Sequence, residues 1–188
     1  RERAYYARDQ FAADLHNEIG GIAPHGNYAH LYLNGIYWGL YYIHERPDHD
    51  FAEAYLGGDD DDYNVIKHRK TNIVSGSNES YYELWTRAEK DLSNEENYED
   101  VAELLDIDQY IKYILVHLYL GNNDWGTNNW YASQHKRGKW RFHTWDAEHT
   151  MEHSQTNNFK RLHYSDMGFH KHLMFNEGYR EQFMDIVN

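Results

Sequence analysis

The run Tyr28 to Glu45, Y-A-H-L-Y-L-N-G-I-Y-W-G-L-Y-Y-I-H-E, constrains this chain more than any other stretch. Two aromatic-rich segments flank Asn34-Gly35, and Asn-Gly is the pair that best accepts the left-handed backbone of a two-residue hairpin turn. An antiparallel hairpin is therefore predicted near the N-terminus. Gly39, inside its return strand, leaves room for a ligand or a packed ring to approach the backbone. A second hairpin is predicted from Trp130 to His135 and from Lys139 to Trp145, around a turn marked by Lys136, Arg137 and Gly138.

Elsewhere the apolar period is helical. Tyr6, Phe11, Leu15 and Ile19 predict a helix that Gly20-Gly21 stops, and Asp48 or Asp50 caps a short helix holding Phe51, Ala54 and Leu56, ended by Gly57-Gly58. Tyr63 to His68 reads as a short strand carrying Lys67, and Thr71 to Asn78, polar and glycine-containing, as a mobile loop. Three helices follow. Glu79 to Leu92 puts Tyr82, Trp85, Ala88 and Leu92 on one face; Ser93 with Glu96 forms a capping box for a helix through Leu105; Asp106 with Gln109 does so for Ile107 to Leu120. The last is apolar nearly all round, so it is the predicted core helix. Met151 to Tyr164 reads as irregular, and Glu177 to Val187 as a helix around Tyr179, Phe183 and Ile186. The expected architecture is one α+β domain over 1–188, with an antiparallel, hairpin-built part over about 1–75 and a helical part over about 76–188.

Composition narrows the classes of function. A net charge of −13 without an offsetting basic run argues against a nucleic-acid binder that works by phosphate neutralisation, and favours basic partners or substrates. The absence of cysteine removes disulfides and thiolate metal sites. Ile114 to Leu120, the longest apolar run, is too short to cross a bilayer, so no membrane span is expected in this segment. The four carboxylates Asp59 to Asp62 lack the ligand spacing of an EF-hand and read as a solvated loop. The chain opens at Arg1 without Met and stops inside an apparent helix at Asn188, so it is read as truncated at both ends.

The residues that carry chemistry gather at 122–129, N-N-D-W-G-T-N-N, between the core helix and the second hairpin. Asp124 and Asn129 stand in a D-x-x-x-x-N relation, and Asp146 follows at the end of that hairpin. A carboxylate so placed can orient a hydroxyl and take its proton, while an amide oxygen and a second carboxylate are hard ligands suited to Mg²⁺. Base, first metal ligand and second metal ligand come in this order in protein kinases. Asn, Asp and Gly also fill ordinary loops, so the spacing alone leaves both readings open.

Three stretches together resemble the spore-coat-protein-H (CotH) kinase family: L-Y-L-N-G-I-Y-W-G-L-Y-Y-I-H-E-R-P-D, N-N-D-W-G-T-N-N-W-Y and K-W-R-F-H-T-W-D. The resemblance runs from about Ala4 to Val187. It implies an atypical protein-kinase-like fold, transfer of phosphate from ATP to Ser or Thr of a protein, and an extracellular, cell-surface or coat-associated location. It further implies Asp124 as catalytic base, Asn129 and Asp146 as ligands of Mg²⁺ or Mn²⁺, and Lys67 as the anchor of the ATP phosphates. Glu45 is the preferred carboxylate partner of Lys67, with Glu79 and Glu83 as rivals between which the sequence does not choose. The acidic surface suggests a basic, Ser-rich substrate. Two departures stand out. The family tends to carry a further Asp two residues after the metal Asp, whereas W-D-A-E offers Glu148 for that place. No Gly-rich phosphate loop is visible, which leaves Gly20, Gly21 and Gly26 as candidates for a cradle.

Two other classes compete. His149-Thr150-Met151-Glu152-His153 is an H-x-x-E-H string, the zinc motif of inverted metallopeptidases, which needs a helix to bring both histidines to one face. A non-catalytic surface or coat-assembly binding module of the same fold would use the many Tyr and Trp for contact, although core packing and cross-strand pairing explain them more simply.

Overall fold

The computed structural model describes residues 6–152, 158 and 168–187. Among these, seven α-helices accompany two small antiparallel sheets, an α+β architecture consistent with a kinase-like fold. The first sheet is the hairpin of β1 (Gly26–Leu33) and β2 (Ile36–His44). Asn34 at φ 50° and Gly35 at φ 82° make the predicted left-handed turn. Gly39 has a local explanation. It sits at φ 142° opposite Leu31, beside a register shift between Leu31 and Tyr32, and a Cβ there would meet only Tyr41 at 3.7 Å. The hairpin's aromatics do not enter the core: Trp38 is 61 % exposed and Ile36 67 %.

The second sheet has the order β4-β3-β5-β6, from β3 (Tyr63–Lys67), β4 (Arg69–Ser75), β5 (Trp130–His135) and β6 (Arg141–Thr144). Lys67 pairs with Tyr131 across β3 and β5, so the strand carrying the predicted phosphate anchor lies against the strand that leaves the Asp124 loop. Strand β4 replaces the loop expected over Thr71 to Asn78. It is an edge strand with Thr71, Asn72, Ile73 and Val74 all exposed, and a strand solvated on both faces shows no period-two signal.

Helix α1 (Arg8–Glu18) buries Gln10, Ala12, Ala13 and His16 rather than the predicted stripe, leaving Phe11 47 % exposed. Small side chains on that face let it pack closely on the core helix. Asp48 caps α2 (His49–Leu56) through the Phe51 N–H, as predicted. Helix α3 (Glu79–Ala88) turns Tyr81 and Leu84 inward, not Tyr82. The cap of α4 (Glu95–Leu104) is Asn94, because the Ser93 hydroxyl donates to Asp91 instead. Asp106 caps α5 (Ile107–Tyr119). Ile111, Tyr113 and Ile114 of α5 lie in the main core with Trp130, Trp140 and Phe142 of the second hairpin. Helix α6 (Phe169–Leu173), which the sequence does not announce, adds the buried Phe169, and α7 (Glu177–Val187) the buried Tyr179. Of the stretch 151–164 read as irregular, 153–157 and 159–164 lie outside the described residues.

Candidate active site

Helix α5 builds the loop that follows it. Tyr113 and His117, one turn apart, face the same way: the Trp125 indole N–H donates to the Tyr113 hydroxyl at 2.7 Å, and the His117 ring stacks on Trp125 at 4.7 Å. Gly121 at φ 60° ends the helix. Asn122, fully buried, donates from its amide to His117 Nδ1 at 3.0 Å and accepts the Asp124 N–H at 3.0 Å. Asp124 is thereby fixed from behind. In front, its carboxylate accepts the Asn128 amide at 3.2 Å and the Asn129 amide at 3.1 Å. The Asn129 amide also reaches the Asp124 carbonyl.

Three non-glycine residues with left-handed backbones meet at one place. His68 (φ 61°), Asn129 (φ 59°) and Asp146 (φ 56°) all line a cleft of about 610 Å³, together with Arg69, Thr71, Asn72 and Asn128. Each such corner costs on the order of 1 kcal/mol or more, so surrounding bonds must hold it. The Asn129 N–H donates to His68 Nδ1 at 2.7 Å while the His68 N–H donates to the Trp130 carbonyl at 2.9 Å, locking two corners together. The third is locked from α1: the Ala147 N–H donates to Asp9 at 2.6 Å. His68 and Asp9 belong to the site, yet no motif in the sequence singles them out.

Asp146 and Glu148 converge. A hydrogen bond between the two carboxyls, followed by burial and the Asp146 charge, pushes Glu148 up to about 7. Asp9 is also raised, mainly by burial, with the Ala147 N–H and His44 opposing and the Asp146 charge adding. The Asp146 and Glu148 carboxyls and the Asn129 amide are oxygen donors of the kind a hard divalent cation takes, with Asn129 and Asp146 on one cleft and Glu148 bonded to Asp146. Asp124 and Asn129 are in direct contact, and Asn129 and Asp146 share the cleft.

Lys67 lies near, but not as expected. Its ammonium sits 5.0 Å from the Tyr131 ring centre and 5.2 Å from that of Trp145, and burial, then the Arg46 charge, lower its pKa against the opposing pull of Asp146. The pair with Glu45 does not form. Glu45 instead accepts the His25 N–H at 2.8 Å and the Tyr55 hydroxyl at 2.7 Å, because β2 ends facing the start of β1 and α2 rather than β3. Of the rivals, Glu83 pairs with Arg87, and Glu79 forms no ion pair among the described residues. Arg46, exposed next to Glu45 in sequence, is a second cation near Lys67, and no motif singles it out.

Two other expectations fail on local geometry. Gly20, Gly21 and Gly26 make no cradle: a Cβ on Gly21 would clash with His16, one on Gly26 with Gln10 and Tyr42, and the Gly20 carbonyl accepts from Gln109. The H-x-x-E-H string is not helical over 149–152; His149 donates to Glu152 at 2.9 Å, and His153 lies outside the described residues. Hydrogen bonding to Glu152 raises the His149 pKa, and its Nδ1 is already engaged by that carboxylate.

A family model described as CotH kinase protein matches residues 4–188. No curated protein gives a significant match.

Proposed function

The chain belongs to the CotH kinase protein family, and on that premise we propose that it moves the γ-phosphoryl group of ATP to a Ser or Thr hydroxyl of a protein. The observation that carries the reading is the cleft where Asn129, in contact with Asp124, meets Asp146. Asp124, held by two amides, orients the attacking hydroxyl and takes its proton as the new O–P bond forms and the bond to the leaving diphosphate breaks. Asn129, Asp146 and Glu148 would hold Mg²⁺ or Mn²⁺, which when bound neutralises charge on the phosphate oxygens. Lys67 supplies positive charge near Asp146, and Arg46 lies close enough to Lys67 to add to it.

In this reading the chain acts as one domain, with about 1–75 anchoring the nucleotide and about 76–188 supplying base and metal ligands. The continuous sheet β4-β3-β5-β6 supports such a union, since it draws strands from both parts. A net charge of −13 favours a basic substrate, transfer to Ser suits a Ser-rich one, and the family's name suits a coat-associated or other extracellular setting. No described helix is long and apolar enough to cross a membrane.

One observation favours a binding module instead: the outward aromatics of β1 and β2, Tyr32, Tyr37 and Trp38 among them, suit contact with a partner. Calorimetric titration of ATP with and without Mg²⁺ or Mn²⁺, paired with transfer of labelled γ-phosphate to a basic Ser-rich protein, separates the two. Metal-dependent binding and transfer are expected. A protein that binds no nucleotide with any of these metals is the binding module.

A further inference from the structure

We infer that Arg69 is the residue that grips the terminal phosphates of the nucleotide, an inference that rests on the kinase reading. Lys67 sends its ammonium over Tyr131 and Trp145 and does not line the cleft that Asn129 and Asp146 share. Arg69 does line it. Its guanidinium makes no hydrogen bond or ion pair among the described residues, although Asp146 lies on the same cleft. Several other cations of this acidic chain are neutralised, Arg87 by Glu83 and Glu103, Lys90 by Asp100, Lys112 by Asp108 and Arg141 by Asp106, but none of these lines the cleft. A guanidinium kept free beside two prospective metal ligands is available for an anion that the metal also binds.

The backbone holds Arg69 in place. Lys67 and Arg69 pair across a turn of one residue, His68, whose N–H and ring are both tied to the start of β5. The guanidinium therefore springs from a point fixed relative to Asn129, which reduces the ordering cost of binding. Thr71 and Asn72, on the same strand and the same cleft, offer neutral donors alongside it. A planar fork of N–H groups matches two phosphate oxygens at once, and it supplies what the missing Gly-rich loop would have given.

The test is to titrate MgATP, MgADP, AMP and adenosine into the wild type, Arg69→Ala and Arg69→Lys, with thermal melting to check folding. Arg69→Ala should weaken MgATP about tenfold or more while adenosine stays within about twofold, and Arg69→Lys should recover part of the loss by keeping charge without the fork. Equal loss for all four ligands, or no loss for MgATP, overturns the inference. If Arg69→Ala does not fold, Arg69→Gln is read by the same ratio. A wild type that binds none of the four ligands sinks the kinase reading and this inference together, whereas a wild type and Arg69→Ala that bind MgATP equally sink only the role of Arg69.

Discussion

Asp9 accepts the Ala147 N–H at 2.6 Å across 138 residues of sequence, so the first helix holds the corner on which Asp146 turns. Ala147 itself is fully buried against Ala12, Val116 and Leu120, which makes this corner a packed joint as well as a hydrogen-bonded one. The same carboxylate lies 4.0 Å from His44, whose ring stacks on Tyr42 at 4.5 Å and on Trp145 at 4.9 Å. The end of the exposed hairpin thus reaches the Asp146 corner through Asp9 and Trp145.

Asp9→Ala strands the N–H of the buried Ala147, a loss of about 1–3 kcal/mol of stability, and should raise the Mg²⁺ concentration for half-maximal transfer severalfold. Asp9→Asn keeps an acceptor for Ala147 and should recover most of the stability. Urea midpoints and a Mg²⁺ titration of activity decide it; equal Mg²⁺ dependence in wild type and Asp9→Ala counts against the positioning role.

Asp124→Ala should leave MgATP affinity within about threefold while transfer falls by about 10² or more, because in the proposed mechanism it removes the proton acceptor and spares the metal ligands. Asp146→Ala should weaken metal-dependent ATP binding and transfer together. Identical binding and transfer profiles for the two variants would mean that the two carboxylates do not divide the work in this way.

Glu45→Gln should leave nucleotide affinity unchanged, since Glu45 is bound to His25 and Tyr55 and not to Lys67. Lys67→Ala should weaken MgATP by a few-fold, through the loss of positive charge near Asp146. A loss with Glu45→Gln as large as with Lys67→Ala would show that the two residues pair when nucleotide is present.

Asn122→Ala leaves the buried His117 ring and the Asp124 N–H without their partner. Unfolding free energy should fall by about 2 kcal/mol, and turnover about tenfold with little change in ATP affinity. Denaturant melts and steady-state kinetics read both effects. Full turnover in a destabilised variant would give Asn122 a role in folding alone.

Stability should fall on acidification below neutral pH. Burial holds His16 at about 3 and His143 at about 4, and His117 well below its ordinary value. A histidine with a depressed folded pKa contributes stability that is present above about 6.5 and is lost as pH falls towards the folded value. By pH 5 that is about 2 kcal/mol for His16 and for His143. Glu148 works in the opposite sense, its raised pKa favouring the folded state as pH falls through about 7, but it is 47 % exposed and solvent screens its share. Urea midpoints should drop between pH 7 and pH 5, and His143→Gln should flatten the slope. An unchanged midpoint would mean that the histidines are protonated or open to water in the folded state.

Local chemistry was readable where a short segment determines its own conformation. Asn34-Gly35 dictates a tight turn in any context, Asp48 and Asp106 cap the helices that follow them, and the apolar run of α5 has nowhere to go but the core. The order Asp124, Asn129, Asp146 likewise lies in the chain itself, and the structure brings Asn129 to Asp124 and to the cleft of Asp146. What could not be read are partnerships between distant segments. Whether Lys67 meets Glu45 depends on which way β2 leaves its sheet, and the hydrogen bond of Asp9 to Ala147 exists only because α1 packs on α5. Strand β4 carries no period because water covers both its faces; only pairing with β3 makes it a strand and brings Arg69 to the cleft. Propensity and spacing act over a few residues, whereas these contacts are fixed by how whole elements pack, and that is settled by the tertiary fold alone.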